Sequence, residues 1–198
     1  MTTVVEFVVE ADAQRWRDVG FDVDDGTLQL GGIRLRFRDG SRGIVAWQLS
    51  GAPLDDVGDI DGLETTDGDP SASPSRQHPN SVVSIDHVVI YTDDLERTCS
   101  AIEAATAAPL KRVREAGTLR QGFHRLGELI VEVVTFPKID VDGARFWGLA
   151  LNAADLDAMF DRYGEDVLSS PKDAVQPGRR ISSFRESAGL GLPVALMM

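Results

Sequence analysis

Residues 84–98, SIDHVVIYTDDLERT, run from a strand straight into a helix. Ile85, His87, Val89 and Tyr91 alternate with Asp86, Val88 and Ile90, the period of two that a pleated strand imposes. The histidine is therefore expected to share a face with three large side chains. Thr92, Asp93 and Asp94 follow, and short polar side chains that accept hydrogen bonds from free backbone N–H groups favour a helix start at that point. Leu95, Cys99, Ile102 and Thr106 keep the spacing of one helical face until Pro109 ends the run.

The same order recurs along the chain. From residue 84 it reads strand, helix and three strands, with strands near 111–115, 121–126 and 128–136. A further copy has a strand at 145–152, a helix at 155–163, a short middle section and strands at 179–185 and 190–197. The sequence carries the repeat at two places. Thr92-Asp93-Asp94-Leu95 returns 61 residues later as Ala153-Ala154-Asp155-Leu156, and residues 120–125 return 60 residues later as 180–185. Two matches at nearly one offset identify a repeated unit more firmly than local propensity does. The first fifty residues give a weaker version, with a strand at 4–9, a short helix carrying Trp16 and Val19, and strands at 27–30, 33–37 and 44–49.

Composition narrows the function classes. At 198 residues and 42% hydrophobic content, the chain can bury a core without staples. A net charge of -12 opposes phosphate backbones, so nucleic acid is not an expected partner. No window approaches the ~18 uninterrupted apolar residues of a membrane span. The lone Cys99 cannot close an intramolecular disulfide, and the opening residues show no basic, then apolar, leader pattern, so the expected location is cytoplasmic. Half of the net charge lies in residues 52–82, where seven acids face Arg76 alone before a Pro/Ser-rich run. That composition predicts an acidic linker between a first unit at 1–51 and a paired domain at 83–198.

A βαβββ unit used twice, opening on IDHVVIYTDDLERT and closing its first copy on LGELIVEVV, resembles the vicinal oxygen chelate superfamily. That group includes glyoxalase I, extradiol dioxygenases and bleomycin-resistance proteins. The resemblance implies an α+β fold of repeated βαβββ units, with units 83–139 and 144–198 paired around a cleft and 1–51 a degenerate N-terminal unit. It also implies a small-molecule ligand and is compatible with a homodimer. Family members that bind a divalent metal take one ligand from the first strand and one from the last strand of each unit. Those positions fall on His87 and Glu132 in unit 83–139, and on Gly148 and Leu196 in unit 144–198. Only the first two can ligate, so the implied metal site is incomplete. No cofactor is expected, and a divalent ion at His87 and Glu132 would be held at low occupancy.

Two readings of function follow from the resemblance. One is a small-molecule-binding protein whose cleft is lined by His87, Glu132, Phe136, Phe146 and Trp147. The other is a metal-dependent lyase, isomerase or dioxygenase acting on vicinal oxygens, with His87 and Glu132 holding the ion. His87 and Glu132 could equally form a hydrogen-bonded pair that needs no metal. Among the remaining candidates, His124 reads as structural, His78 as solvated, and Cys99 as inert packing on the helix face. Arg120, Arg125, Arg179, Arg180 and Arg185 read as outward-facing residues that balance an acidic chain.

Overall fold

The computed structural model describes residues 1–53, 58–70 and 77–198. In chain order the elements are β1 (Thr3–Glu10), α1 (Ala13–Asp18), β2 (Val23–Asp24), β3 (Thr27–Leu30), β4 (Ile33–Arg38), β5 (Gly43–Ser50), β6 (Asp59–Ile60), β7 (Leu63–Asp67), β8 (Val82–Thr92), α2 (Leu95–Thr106), β9 (Arg112–Ala116), β10 (Leu119–Leu126), β11 (Leu129–Thr135), β12 (Ala144–Ala153), α3 (Leu156–Tyr163), β13 (Lys172–Asp173), β14 (Arg180–Ser183) and β15 (Val194–Met197).

They form two mixed sheets, in the orders β2-β3-β4-β1-β5-β7-β6 and β9-β10-β11-β8-β12-β15-β14-β13. The architecture is the expected α+β arrangement of repeated βαβββ units. In each sheet the two central strands, β1 with β5 and β8 with β12, are antiparallel, and each has a parallel partner on its outer side, β4, β7, β11 and β15. The two sheets thus repeat one plan. β5 opens a second, truncated unit in the first sheet, without a helix among its described residues.

The acidic segment contributes β6 and β7 to that sheet, β7 running parallel to β5. Leu63 and Thr65 are the inward residues, each 1% exposed, and Glu64 and Thr66 point out. An acidic strand with so few apolar residues hides its alternation in sequence. Residues 54–57 and 71–76, which carry part of the linker expectation, lie outside the described residues.

Helix starts follow their local chemistry. Asp94 accepts from the Arg97 N–H and Asp155 from the Ala158 N–H, each satisfying a donor that the first turn leaves free. α2 lies on β10 and β11, where Gly122 leaves room for the Cys99 thiol; a Cβ there would sit 2.7 Å from Sγ. The sheets join through aromatic side chains. Phe146 of β12 packs edge-on against Phe7 of β1 and Trp47 of β5, with ring centroids 6.0 and 5.3 Å apart. Trp47 is fully buried, and its Nε1 donates to Thr65 Oγ1 at 2.6 Å.

β1, β5 and β12 each carry one extra residue, and β8 carries two, at Val83 and Asp86. On β8, Ile85 pairs with Leu151 and His87 with Ala150, which leaves Asp86 unpaired as a β-bulge. On β12 the bulge is Trp147, since Phe146 pairs with Ile90 and Gly148 with Val89. Val5 on β1 and Val45 on β5 are the matching irregularities of the other sheet. The bulge corrects the simple alternation of β8. Ile85 turns inward with Val88 and Ile90, while Asp86 and His87 share the open face.

Candidate functional site

The open face of the second sheet, opposite α2, gathers polar side chains from three strands and one turn. The β8–β11 register sets Ile130 beside His87 and Glu132 beside Val89, so Glu132 reaches back diagonally to the imidazole. His87 Nε2 lies 3.4 Å from Glu132 Oε2, with the two side chains 20% and 12% exposed. On its other side His87 Nδ1 is 2.8 Å from Asp86 Oδ2. Arg179, in the turn before β14, donates from one amino group to Asp86 Oδ1 and from the other to Asn152 Oδ1, both at 2.7 Å. Gln121 of β10 donates to the remaining Glu132 oxygen. The result is a row, Arg179–Asp86–His87–Glu132–Gln121, in which cations or donors alternate with carboxylates.

The row is electrostatically self-consistent. Burial pushes the Asp86 carboxyl up, but the hydrogen bonds from His87 and Arg179, with their charges, outweigh it and hold the group at about 2. Asp86 therefore stays ionised and fixes the orientation of the His87 ring. At the far end of β8, Tyr91 stacks on Trp147 with centroids 5.0 Å apart and meets Phe136 edge-on at 5.5 Å. Trp147 remains 40% exposed and presents a flat apolar surface beside the polar row. Burial pushes the Tyr91 hydroxyl up, with Arg145 opposing the shift and Glu132 adding to it.

Of the residues singled out from sequence, the structure brings His87, Glu132, Phe136 and Trp147 to this face. Phe146 is corrected. One residue from the bulge at Trp147, it turns inward, 9% exposed, onto Phe7 and Trp47. Arg179 is not an outward-facing counter-ion but the anchor of Asp86. Arg120 and Arg180 do pair on the surface, with Glu96 and Asp157. His78 is not solvated: it is 6% exposed, its Nδ1 accepts from the Asp22 N–H and its Nε2 donates to the Gln29 carbonyl. His124 is a buried structural residue held by the Ala108 carbonyl, and burial pushes its pKa down. Cys99 is buried and its thiol is pushed up to about 11 by desolvation, so it stays protonated. Asp86, Tyr91, Gln121 and Arg179 were not among the expected site residues. Tyr91 shares the alternation of His87, but Arg179 comes from a turn with no periodic signal.

The pseudo-symmetry tests whether a metal fits. Because Val89 pairs with Gly148 just as His87 pairs with Ala150, Gly148 occupies the place equivalent to His87. The parallel registers, Val89 with Glu132 and Ala150 with Ala195, make Ala195 the equivalent of Glu132. That replaces the expected Leu196, which faces the core at 0% exposed. Gly148 has no room for a ligand either, since a Cβ there would lie 2.5 Å from the Pro193 carbonyl oxygen. In the first sheet the corresponding places hold Glu6 with Arg36, an ion pair, and Ala46 with Thr66. Among the described residues no group of three His, Cys, Asp or Glu side chains is placed to hold a metal ion. His87 and Glu132 are engaged with each other and with Asp86 and Gln121.

No protein-family model and no curated protein matches the chain. Solved structures do. The chain is similar to methylmalonyl-CoA epimerase from Mycobacterium tuberculosis, at 18% identity and a TM-score of 0.51, over 60% of this chain and 89% of that one. It is also similar to a 4-hydroxymandelate synthase variant from Streptomyces coelicolor, at 13% identity and a TM-score of 0.65, over 98% of this chain and 91% of that one. The fold is that of the vicinal oxygen chelate superfamily.

Proposed function

We propose that the chain binds a small organic molecule on the open face of the second sheet, over the His87–Glu132 pair, without a four-ligand metal centre. The observation that carries this reading is the contact between His87 and Glu132 at 3.4 Å, opposite Gly148 and Ala195, which offer no donor side chain. A metal shell needs more donors than remain, whereas a ligand needs only a few convergent polar groups beside an apolar wall. The Trp147–Tyr91 stack supplies that wall. A flat ring lying on it would place a hydrogen-bonding substituent at the Glu132 carboxylate and the imidazole, with Arg179 and Asp86 holding the row in position.

The test is a protein-observed NMR titration of the full chain with a panel of small aromatic acids, amines and alcohols, with and without chelator. The expected result is a saturable shift of the Trp147 indole N–H, abolished by His87→Ala and unchanged by chelator. Binding that appears only after a divalent ion is added, with stoichiometric uptake of that ion by calorimetry, would instead establish the metal-dependent lyase, isomerase or dioxygenase reading.

A further inference from the structure

The strand registers fix which charges share the open face of the second sheet. Across it runs the rank Arg114–Gln121–Val134–Tyr91–Arg145, each residue the direct partner of the next on β9, β10, β11, β8 and β12. A second rank sets Arg112 beside Phe123 and Phe123 beside Glu132, and a third sets Arg125 beside Ile130 and Ile130 beside His87. Direct partners point to one side of a sheet, so Arg112, Arg114, Arg125 and Arg145 all lie on the face that holds His87 and Glu132. The acids these strands bring to that face are Asp86 and Glu132, since Glu115 pairs with Arg120 on the helix side.

Away from the open face most arginines are neutralised. Arg34 and Arg36 meet Glu6, Arg38 and Arg42 meet Glu10, Arg97 bridges Asp61 and Asp93, and Arg180 pairs with Asp157. On the open face the two acids are already engaged, Asp86 by Arg179 and His87, and Glu132 by His87 and Gln121. Among the described residues Arg112, Arg114 and Arg145 have neither an acidic partner nor a hydrogen-bond acceptor, and Arg125 donates to the Gly127 carbonyl. Acids outnumber Lys and Arg by 32 to 20 in this chain, so arginines left unpaired together on one face make that face a local positive field.

Arg145 is the member of the group that adjoins the apolar wall. Its direct partner is Tyr91 and it lies two residues from Trp147. Its charge opposes the upward push of burial on the Tyr91 hydroxyl, which sets the guanidinium within electrostatic reach of that ring. Arg145 and Trp147 also line one groove of about 510 Å³ together with Leu192 and Pro193. Tyr91 covers one face of the indole, which remains 40% exposed. The wall therefore has beside it an unused, planar set of charged donors suited to an acidic group.

We propose that the ligand of the open face is an aromatic anion, its ring on Trp147 and its acidic group on the Arg145 guanidinium, with Arg112, Arg114 and Arg125 supplying the field that draws it in. The inference rests on the open-face reading and narrows it to molecules that carry negative charge. A neutral ligand would leave Arg145 unused, and a cation would meet the same field as a repulsion.

The probe is 2-naphthoate, compared with its neutral isostere 2-naphthamide and with 2-naphthylmethylammonium, titrated into the isotope-labelled full chain and read at the Trp147 indole N–H. The carboxylate is expected to bind about tenfold or more tighter than the amide, the effect of one hydrogen bond to a charged group, and its advantage should shrink as salt is raised. Arg145→Gln should bring the two affinities together, Arg145→Lys should restore part of the difference, and Arg120→Gln on the helix side should leave it intact. Equal affinity of carboxylate and amide for the wild-type chain, or an advantage that survives Arg145→Gln, overturns the inference. If the amide or the ammonium shifts Trp147 as strongly as the carboxylate, and the shift is lost in His87→Ala, the open-face reading stands and this one falls. No saturable Trp147 shift from the three probes or from the wider panel overturns both.

Discussion

Replacing His87 or Glu132 by alanine should expose a direct coupling between them. Their atoms are 3.4 Å apart and their side chains are 20% and 12% exposed, so neither is a freely solvated surface group. Removing one partner of a buried polar pair costs about 1–3 kcal/mol. Here each survivor keeps another contact, Glu132 with Gln121 and His87 with Asp86. That retention and the residual solvent access put each single loss near the lower end, about 1 kcal/mol. The double mutant should then cost less than the sum of the singles, by roughly 0.5–1 kcal/mol. Urea denaturation of all four proteins, with and without chelator, measures the cycle. Additive losses in both conditions would mean that the two side chains do not interact, and non-additivity that vanishes in chelator would mean that an ion, not the pair, joins them.

The Asp86 carboxyl sits at about 2, below its ordinary 3.8, so it contributes stability that is present above pH ~4 and lost as pH falls toward 2, on the order of 2 kcal/mol. Asp86→Asn should therefore be less stable than wild type at pH 7, with a gap that narrows as pH falls below 4 and closes only toward pH 2; a constant gap across that window would refute the assignment. Gly148→Ala forces a Cβ to within 2.5 Å of the Pro193 carbonyl and should cost about 1–3 kcal/mol in denaturant midpoint measurements, whereas an unchanged midpoint would show that the β15 end yields freely. Trp47→Ala removes a fully buried indole between the sheets and should cost about 3–5 kcal/mol in a single cooperative transition. Two separable transitions in that variant, followed by fluorescence and far-ultraviolet circular dichroism, would mean that the sheets fold independently.

Much of the architecture is legible in the sequence because the repeat is carried by strongly periodic segments with capping acids, Asp94 and Asp155, at matched places. The paired positions of His87 and Glu132 follow from adjacent first and last strands. The bulges were harder to read. One extra residue leaves the local composition of a strand unchanged while reversing its faces upstream, which is why Ile85 and Phe146 fall on sides that strict alternation does not give them. The consecutive polar pair Asp86-His87 is the mark the bulge leaves in the sequence. The equivalence of Glu132 with Ala195 was masked by loops of unequal length, since Glu132 lies five positions after Gly127 and Ala195 only four after Gly191. Arg179 lies 93 residues from its carboxylate partner, and no local pattern joins them.

The bulge at Asp86 also divides β8 between two tenants. Upstream of it, Ser84 and Ile85 line a crevice between the sheets; downstream, His87, Val89 and Tyr91 belong to the open face. Asp86 is at the boundary and touches both, its carboxylate on the imidazole and its backbone in the kink. Deleting that single codon would leave composition, charge pattern and core volume almost intact. It would nevertheless remove the bulge and leave strict alternation, Ile85 inward and His87 outward, so the loss would fall on the carboxylate that holds the imidazole and Arg179.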